Sequence, residues 1–394
     1  MAPFSPFDHR KTDKGLPQYF DDERSDAFIL SGAEDLVPKL VPPAPNTGTQ
    51  TGTWTPDIYQ ATSQGQNYTV QRYLPRIEGL FAQIERWTNN ATGDVFWKSV
   101  SKEDITSFYG IDLSTRIADP HVPGRIFSWL LSLTYDDVGN VAVYQYKAED
   151  TNNVPPSLQE LHRQVTANRY LKSIQYGNLT PYFPATDPTL PTNWCFEVVF
   201  DYGEHQVPVP TPQKVLPWRC RPDPFSSYRS TFEVRTYRLC SRVLMFNNFP
   251  NELGTAAYLV RSTDLNYSCD EQPPDPDDAI YTFLASATQT GYFLQTGGSY
   301  ITSSMPRSNS NTRERKSIRF CTLLGRQAWK ICRWVSAGYQ WVDLDSEGSP
   351  GILTHEGDSW FYKRNISNPP LPGQMRPPVS NRPRWWRPSP RSAI

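Results

Sequence analysis

The acidic residues Asp343, Asp345 and Glu347 have the spacing in this 394-residue sequence that most resembles a ligand set. Carboxylates at alternate positions before a glycine can bind calcium when enough oxygen atoms surround the ion. Glu347 stands at a position where Asp is usual, and Gly351 stands where a later acidic ligand is expected, so only two strong carboxylates remain. The residues therefore form a weak calcium candidate, and a tight β-turn stabilised by Asp side chains is the favoured interpretation.

Other residues that could perform chemistry are scattered along the chain. The six cysteines include no Cys-x-x-Cys pair, which predicts free thiols rather than a disulfide framework or a zinc site. The histidines have no metal-binding spacing, so we expect each of them at the surface or in a turn: His9, His121, His162, His205 and His355. Because no nucleophile, acid and base come together in a motif, the sequence predicts neither an enzyme nor a cofactor.

The composition favours β-structure. Aromatic residues make up 13% of the chain, and its 37 prolines are roughly twice the ordinary usage. Aromatic side chains favour strands, and frequent prolines exclude long helices. The net charge of −1 gives no indication of a nucleic-acid or membrane-surface partner. The sequence contains no run of about 18 apolar residues, so no transmembrane helix is predicted. Its first residues do not resemble a secretory signal.

Alternating patterns predict where the strands lie. A turn is predicted at 136–140, directly before the alternating run 141–147. The turn and the run together predict a hairpin. Further strands are predicted at 196–202, 232–239, 242–249, 258–267 and 280–288. Helices are predicted only near 101–109, where Ser101 is a candidate N-cap, and at 157–170.

Several motifs in colinear order resemble the Salmonella virulence-plasmid B protein family, whose first domain is shared by the B subunits of insecticidal toxin complexes. They lie at 12–19, 26–38, 73–81, 84–87, 114–120, 125–130, 221–229 and 232–240. The resemblance covers residues 8 to about 305 and implies a large multi-stranded all-β sandwich or shell domain over 1–305. The motifs consist of strand patterns and turn-forming residues, so we expect their residues to have a structural function.

The remainder of the chain divides into three parts. Residues 339–353 resemble the repeat of integrin-type (FG-GAP) β-propellers, so 336–366 is predicted to be a first propeller repeat. Residues 306–335 have no strand periodicity. Family members continue with residues such as Leu-Glu-Phe-Glu-Tyr-Ser-Arg, and one choice of codons for that peptide, read one base later, gives the Ser-Asn-Ser-Asn-Thr-Arg seen here. We therefore interpret 306–335 as an irregular, frameshifted segment, and 367–394 as a disordered basic tail rich in Pro and Trp.

The resemblance implies a function in virulence. Family B subunits join a C subunit into a hollow β-shell that holds a toxic polypeptide, and their propeller docks on the A-subunit pore. By resemblance, we expect this chain to be made in the cytoplasm and to become extracellular within a toxin complex. We expect no nucleic-acid partner and no membrane insertion of its own. The alternative is a carbohydrate or cell-surface binding module that uses exposed tryptophans such as Trp54, Trp87 or Trp129.

Overall fold

The structure is a computed structural model that divides the chain into two units, Met1–Arg313 and Glu314–Ile394. It describes residues 7–13, 15–21, 26–30, 35–43, 53–79, 81–158, 160–271, 282–295, 298–309, 339–342, 351–356 and 359–363. The calcium candidates Asp343, Asp345 and Glu347, the predicted tail at 367–394 and most of 306–335 lie outside these residues.

Short antiparallel strands make up the first unit. In chain order they are β1 (Phe7–Arg10), β2 (Phe28–Leu30), β3 (Asp35–Pro38), β4 (Leu40–Val41), β5 (Thr55–Pro56), β6 (Ile58–Ser63), β7 (Gln66–Pro75), β8 (Gln83–Asn89), β9 (Val95–Val100), β10 (Thr106–Tyr109), β11 (Arg116–Ala118), β12 (Ile126–Tyr135), β13 (Val141–Ala148), β14 (Arg169–Asn178), β15 (Trp194–Asp201), β16 (Phe225–Ser227), β17 (Val234–Thr236), β18 (Arg242–Asn247), β19 (Tyr258–Tyr267), β20 (Leu284–Leu294), β21 (Tyr300–Ser304) and β22 (Ser308–Asn309). The helices are one 3-10 turn (Leu113–Thr115), α1 (Pro250–Leu253) and α2 (Ser268–Glu271).

Eight of these strands close into a ring. Each strand pairs with the next in the order β7, β8, β9, β10, β12, β1, β2 and β3, and β3 pairs back with β7. All of these pairings are antiparallel, and the last of them removes the open edge that a flat sheet would have.

The interior of the ring is an aromatic core. Trp97, Trp129, Phe28 and Tyr73 are each at most 2% exposed. The Phe28 ring lies 5.0 Å from Trp97 and 5.8 Å from Trp129 in edge-to-face contacts, a favourable arrangement for aromatic pairs. Gly110 has a φ of +66°, and a Cβ there would lie 2.4 Å from Cδ1 of Trp129. Glycine is therefore required where the backbone approaches this indole.

An open antiparallel sheet continues from the ring. The last residues of β12 pair with β13, and the sheet proceeds through β14, β15, β18, β19 and β20 to β21 and β22. The predicted all-β fold is confirmed. β13, β15, β18 and β19 match the predicted strands closely, whereas the strand predicted at 232–239 is only Val234–Thr236, and the one predicted at 280–288 becomes Leu284–Leu294.

Both helix predictions are wrong. Residues 106–109 form β10, and Ser101 closes the turn before it because its hydroxyl oxygen accepts hydrogen bonds from the Glu103 and Ile105 N–H groups. The same side-chain acceptor caps helices or closes turns, so the local signal is ambiguous. The stretch 157–170 contains turns and the start of β14, and its acidic and basic side chains bond to distant residues instead of forming a helix.

In the second unit, the described residues form a three-stranded antiparallel sheet of β23 (Tyr339–Val342), β24 (Gly351–Glu356) and β25 (Ser359–Lys363). The assignment of this sheet to a propeller repeat stays a prediction. In the predicted irregular segment, Ser308 and Asn309 form β22 and pair with β20. The remainder of that segment is outside the described residues.

Replacing Trp129 tests the ring core. We expect Trp129→Ala to lower the free energy of unfolding by about 3–5 kcal/mol, because a large cavity would open inside a closed ring that cannot collapse. Chemical denaturation followed by circular dichroism measures the change. Trp54→Ala is the matched control, since Trp54 is 57% exposed and should cost about 0.5 kcal/mol or less. Equal losses in the two variants would contradict this assignment of the core.

Candidate functional site

A cluster of charged and aromatic side chains lies at one end of the open sheet, and we call it the charge cluster. Its members are Lys147, Glu149, Asp150, Tyr170, Lys172, Asp201, Glu204, Trp218, Arg238 and Arg242. Because neighbouring strands are antiparallel, the ends of β13 and β15 lie beside the starts of β14 and β18. The long connections 149–168 and 202–241 leave and re-enter the sheet at this end.

Arg238 lies at the centre of the charge cluster, and its side chain is completely buried. Its Nε donates to Oε1 of Glu149 at 2.8 Å, and its Nη2 donates to the Asp150 carbonyl oxygen at 2.7 Å and to Oδ1 of Asp150 at 3.0 Å. Its Nη1 donates to the carbonyl oxygen of Asn152 at 2.8 Å. The guanidinium lies 4.3 Å from the ring centroid of Trp218. Arginine suits this position because its planar fork donates in several directions and stacks on an indole.

Glu149 also holds the start of β14 and the end of the second connection. Its Oε2 accepts hydrogen bonds from the Tyr170 hydroxyl at 2.5 Å and from the Tyr237 N–H at 2.8 Å. Burial, followed by the charge of Glu149 and this hydrogen bond, raises the pKa of Tyr170 far above its ordinary value. Tyr170 is therefore a neutral donor over the physiological pH range, and one carboxylate joins both connections to the sheet.

Lys172 and Glu204 form a second buried pair. Nζ of Lys172 donates to Oε2 of Glu204 and, at 2.8 Å, to the carbonyl oxygen of Phe200. Burial lowers the pKa of Lys172, and the neighbouring Glu204 opposes that effect. Lys147 approaches the same carboxylate from outside, with its Nζ 3.3 Å from Oε1 of Glu204 and 3.4 Å from the ring centroid of Trp218. The two ion pairs therefore meet on one buried carboxylate.

Asp201 fixes the exit from β15. Its Oδ1 accepts hydrogen bonds from the N–H groups of Gly203 and Glu204, both at 2.8 Å, and its Oδ2 accepts from Nε of Arg242 at 2.8 Å. Burial alone would raise the pKa of Asp201, but the charge and hydrogen bond of Arg242 outweigh burial, so the pKa lies below its ordinary value. Asp201 is therefore held as a carboxylate.

The charge cluster can hold chain segments together, but its carboxylates are already paired with buried cations and hydrogen-bond donors. Arg238 lies in the family motif at 232–240, but that motif did not predict the cluster. The motif shows an arginine beside aromatic residues in a strand-like run. Its neighbouring residues do not indicate which acidic residue pairs with that arginine. The ion pair between Arg238 and Glu149 joins residues 89 positions apart.

The structure also corrects smaller predictions. His205 lies in a bend of the connection after β15, as predicted for a turn, but it is buried there at 1% exposure, and its Nδ1 contacts the carbonyl oxygen of Thr211. Cys195, Cys220, Cys240 and Cys269 are free thiols, as predicted. Within the described part of the chain, no three His, Cys, Asp or Glu residues are arranged to hold a metal ion. No helix in that same part has the length and apolar character to cross a membrane.

The fold defines the class of protein as a large antiparallel β-shell domain, a closed ring that continues into an open sheet. The family model of the Salmonella virulence plasmid 65kDa B protein matches residues 6–249. The chain therefore belongs to that family, as its motifs predicted. A curated relative, the Mono(ADP-ribosyl)transferase SpvB of Salmonella typhimurium (strain 14028s / SGSC 2262), is 38% identical over 289 residues, which are 72% of this chain and 46% of the relative.

Solved structures agree with this assignment. The N-terminal domain of the effector protein SpvB from Salmonella typhimurium strain LT2 is 35% identical, with a TM-score of 0.63 over 73% of this chain and 87% of that one. A TcdB2–TccC3 complex without its hypervariable C-terminal region gives 26% identity and a TM-score of 0.67 over 94% of this chain and 17% of the matched chain. The Photorhabdus luminescens Tc holotoxin pore gives 25% identity and a TM-score of 0.64 over 96% and 17%.

The prediction that the chain is not an enzyme is contradicted at the level of the family. Its curated relatives are named as mono(ADP-ribosyl)transferases, which are enzymes. The chain spans less than half the length of the relative it matches, and the matching solved domain is the N-terminal one.

Removing the charge of Arg238 tests the charge cluster. We expect Arg238→Gln to lower the free energy of unfolding by about 3–5 kcal/mol, because Glu149 would remain buried without its cation. Thermal and urea unfolding measure the loss. Arg76→Gln is the control, since the ion pair of Arg76 with Asp35 is at the surface and should contribute about 1 kcal/mol or less. A loss of similar size in both variants would show that burial of the pair is unimportant.

The lowered pKa of Asp201 predicts how stability depends on pH. Because the folded pKa is below the unfolded value, its contribution is fully present above the ordinary pKa of an aspartate. The contribution is lost as the pH falls through the folded pKa. We expect Asp201→Asn to reduce the difference in unfolding free energy between neutral and acidic pH. Asp137→Asn, at an exposed turn, is the control for the substitution itself and should change the free energy of unfolding at neutral pH by about 0.5 kcal/mol or less. An unaltered pH profile in Asp201→Asn would refute the assignment.

Proposed function

We propose that this chain is a structural module of an insecticidal-type toxin complex, in which it forms part of a β-shell around a toxic polypeptide. The observation that carries the proposal is the similarity to TcdB2–TccC3 over 94% of this chain. Identity of 26% over that length is accompanied by a TM-score of 0.67, so the likeness extends through the ring and the open sheet. A C-subunit partner follows from the composition of that complex.

The physical construction of the domain suits a wall. The ring closes its own sheet edges, and the buried ion pairs of Arg238 and Lys172 hold the long connections against the sheet. Breaking such a pair leaves an uncompensated buried charge, which is strongly unfavourable, so the connections resist local opening. A wall around a toxic polypeptide needs this resistance, because an opened connection would expose sheet edges and offer sites for proteolysis.

We further propose docking on a pore subunit through the unit that contains β23, β24 and β25. The likeness to the Tc holotoxin pore supports this partner in general. A propeller requires several blades to close, and the described residues of this unit supply one small sheet. In the same proposal, the protein is made in the cytoplasm and reaches the outside as part of the complex.

A carbohydrate or cell-surface binding module is the second candidate, and it rests on exposed tryptophans. Trp54 is 57% exposed and is available for such a contact. Trp129 is 1% exposed inside the ring, and Trp87 stacks on Phe96 with ring centroids 5.7 Å apart. Because two of the three indoles are occupied by packing, the toxin-complex proposal is preferred.

Co-expression with a C subunit tests the proposed function. We expect the chain and TccC3 lacking its hypervariable region to elute together from size exclusion and to resist trypsin at concentrations that digest the free chain. Complex formation would cover surface cleavage sites that are exposed in the free chain. Arg76→Gln, which changes only a surface ion pair, should form the complex like the unaltered chain. Separate elution and unchanged digestion would reject the proposal.

A further inference from the structure

The connection between β1 and β2 places a carboxylate inside the ring. Asp21 accepts hydrogen bonds from Nη1 and Nη2 of Arg10, both at 2.7 Å, and from Nη2 of Arg86 at 3.1 Å. Arg10 belongs to β1 and Arg86 to β8, and three strands separate β1 from β8 in either direction around the ring. Strands placed in this way are on opposite sides of a closed eight-stranded sheet, so the Asp21 carboxylate lies between the two walls.

Both arginine side chains point into the ring. Arg10 is opposite Phe28 in the β1–β2 ladder, and its guanidinium lies 5.2 Å from the ring centroid of Phe28 and 5.5 Å from that of Trp129. Arg86 follows Ile84 by two residues on β8, and Ile84 packs in the aromatic core. Alternate residues of a strand share a face, so Arg86 faces the interior as well.

Residues 15–21 therefore cover the aromatic core where β1 ends and β2 begins, and we call them the plug. Polar contacts hold the plug in place. The Asp26 carboxylate accepts hydrogen bonds from the N–H groups of Gln18 at 3.0 Å and Tyr19 at 3.1 Å. The Tyr19 hydroxyl donates to the carbonyl oxygen of Ser230 at 2.6 Å, which ties the plug to the long connection that follows β15.

The plug adds little to the apolar core. None of its side chains belongs to the hydrophobic cluster around Trp129, and Pro17 is the only buried residue among the seven. Leu16 and Phe20 are 55% and 63% exposed. Tyr19 has a φ of +59°, a left-handed conformation that is unfavourable for a bulky residue. Segments with few buried apolar contacts open at a lower free energy than the core, and opening would relieve the strain at Tyr19.

We propose that the plug opens as a unit while the ring stays folded, and that Asp21 and Tyr19 are the two contacts that keep it closed. Asp26 lies two residues before β2 and also pairs with Arg10, so this cation keeps a counter-ion when the plug opens. Opening would give water and small solutes access to one end of the aromatic core. This inference concerns the domain itself and does not rest on the proposed function.

Hydrogen exchange of the unaltered full chain at low urea concentrations tests the proposal. We expect exchange of the Gln18 and Tyr19 amides to be insensitive to urea, because opening a short segment exposes little surface. The buried amides of β12 should exchange faster as urea is added, because they require global unfolding. If the plug amides follow the rate and the urea dependence of β12, or have no protection at all, the inference is overturned.

Asp21→Asn and Tyr19→Phe test the two contacts separately. Asp21→Asn keeps the shape of the side chain and removes its charge, whereas Tyr19→Phe keeps the aromatic ring and removes the hydroxyl. We expect the plug amides to exchange about tenfold faster in Asp21→Asn and about fivefold faster in Tyr19→Phe, still without urea dependence. Asp13→Asn is the matched control, since Asp13 lies in the same connection, is 55% exposed and pairs with Lys11 at 3.1 Å. It should leave the exchange of the plug unchanged.

Unchanged exchange of the plug in either Asp21→Asn or Tyr19→Phe overturns the inference, because that contact would then not keep the plug closed. An effect of Asp13→Asn as large as that of Asp21→Asn also overturns it, because the charge of the connection, and not the pair with Arg10, would be responsible. If circular dichroism shows that a variant is unfolded, the urea dependence in the unaltered chain decides.

Discussion

The shared strand β12 is the constraint on which the rest of the fold depends. Its first half pairs with β1 and β11, its second half pairs with β10 and β13, and its residues from Ser128 to Leu133 are buried. A strand covered on both faces and paired along both edges cannot shift by one residue, because every side chain would change face. The registers of the ring and of the open sheet are therefore fixed together.

The charge cluster is the second organising interaction, and its role differs from that of the aromatic core. Replacing a buried ion pair by well-packed apolar residues is often neutral or stabilising, whereas removing one partner is costly. The ion pair of Arg238 and Glu149 therefore mainly determines which chain segments pack together, since only a matched donor and acceptor can be buried together. Apolar contacts between the same connections would tolerate several arrangements.

These two features connect the fold to the proposed role in a shell. In the ring each of the eight strands pairs with two neighbours, and the open sheet continues from β12 through β13. The family assignment, which rests on residues 6–249, covers the ring and the open sheet as far as β18. The enzymatic activity named for the relatives belongs to proteins of which this chain matches 46% of the length.

The sequence by itself determined the fold class, the family and most strands of the open sheet. β19 was predicted with the bounds Tyr258–Tyr267 that the structure has, because alternation is written in adjacent residues. Local patterns misled at Ser101, where one hydroxyl acceptor suits a helix cap and a turn equally. Tertiary structure alone decided the ring closure, in which β1 pairs with β12, and the bond between Arg238 and Glu149. The strand pairing and the ion pair each join residues that are far apart in the chain. Their partners are determined only when the folded sheet buries them together.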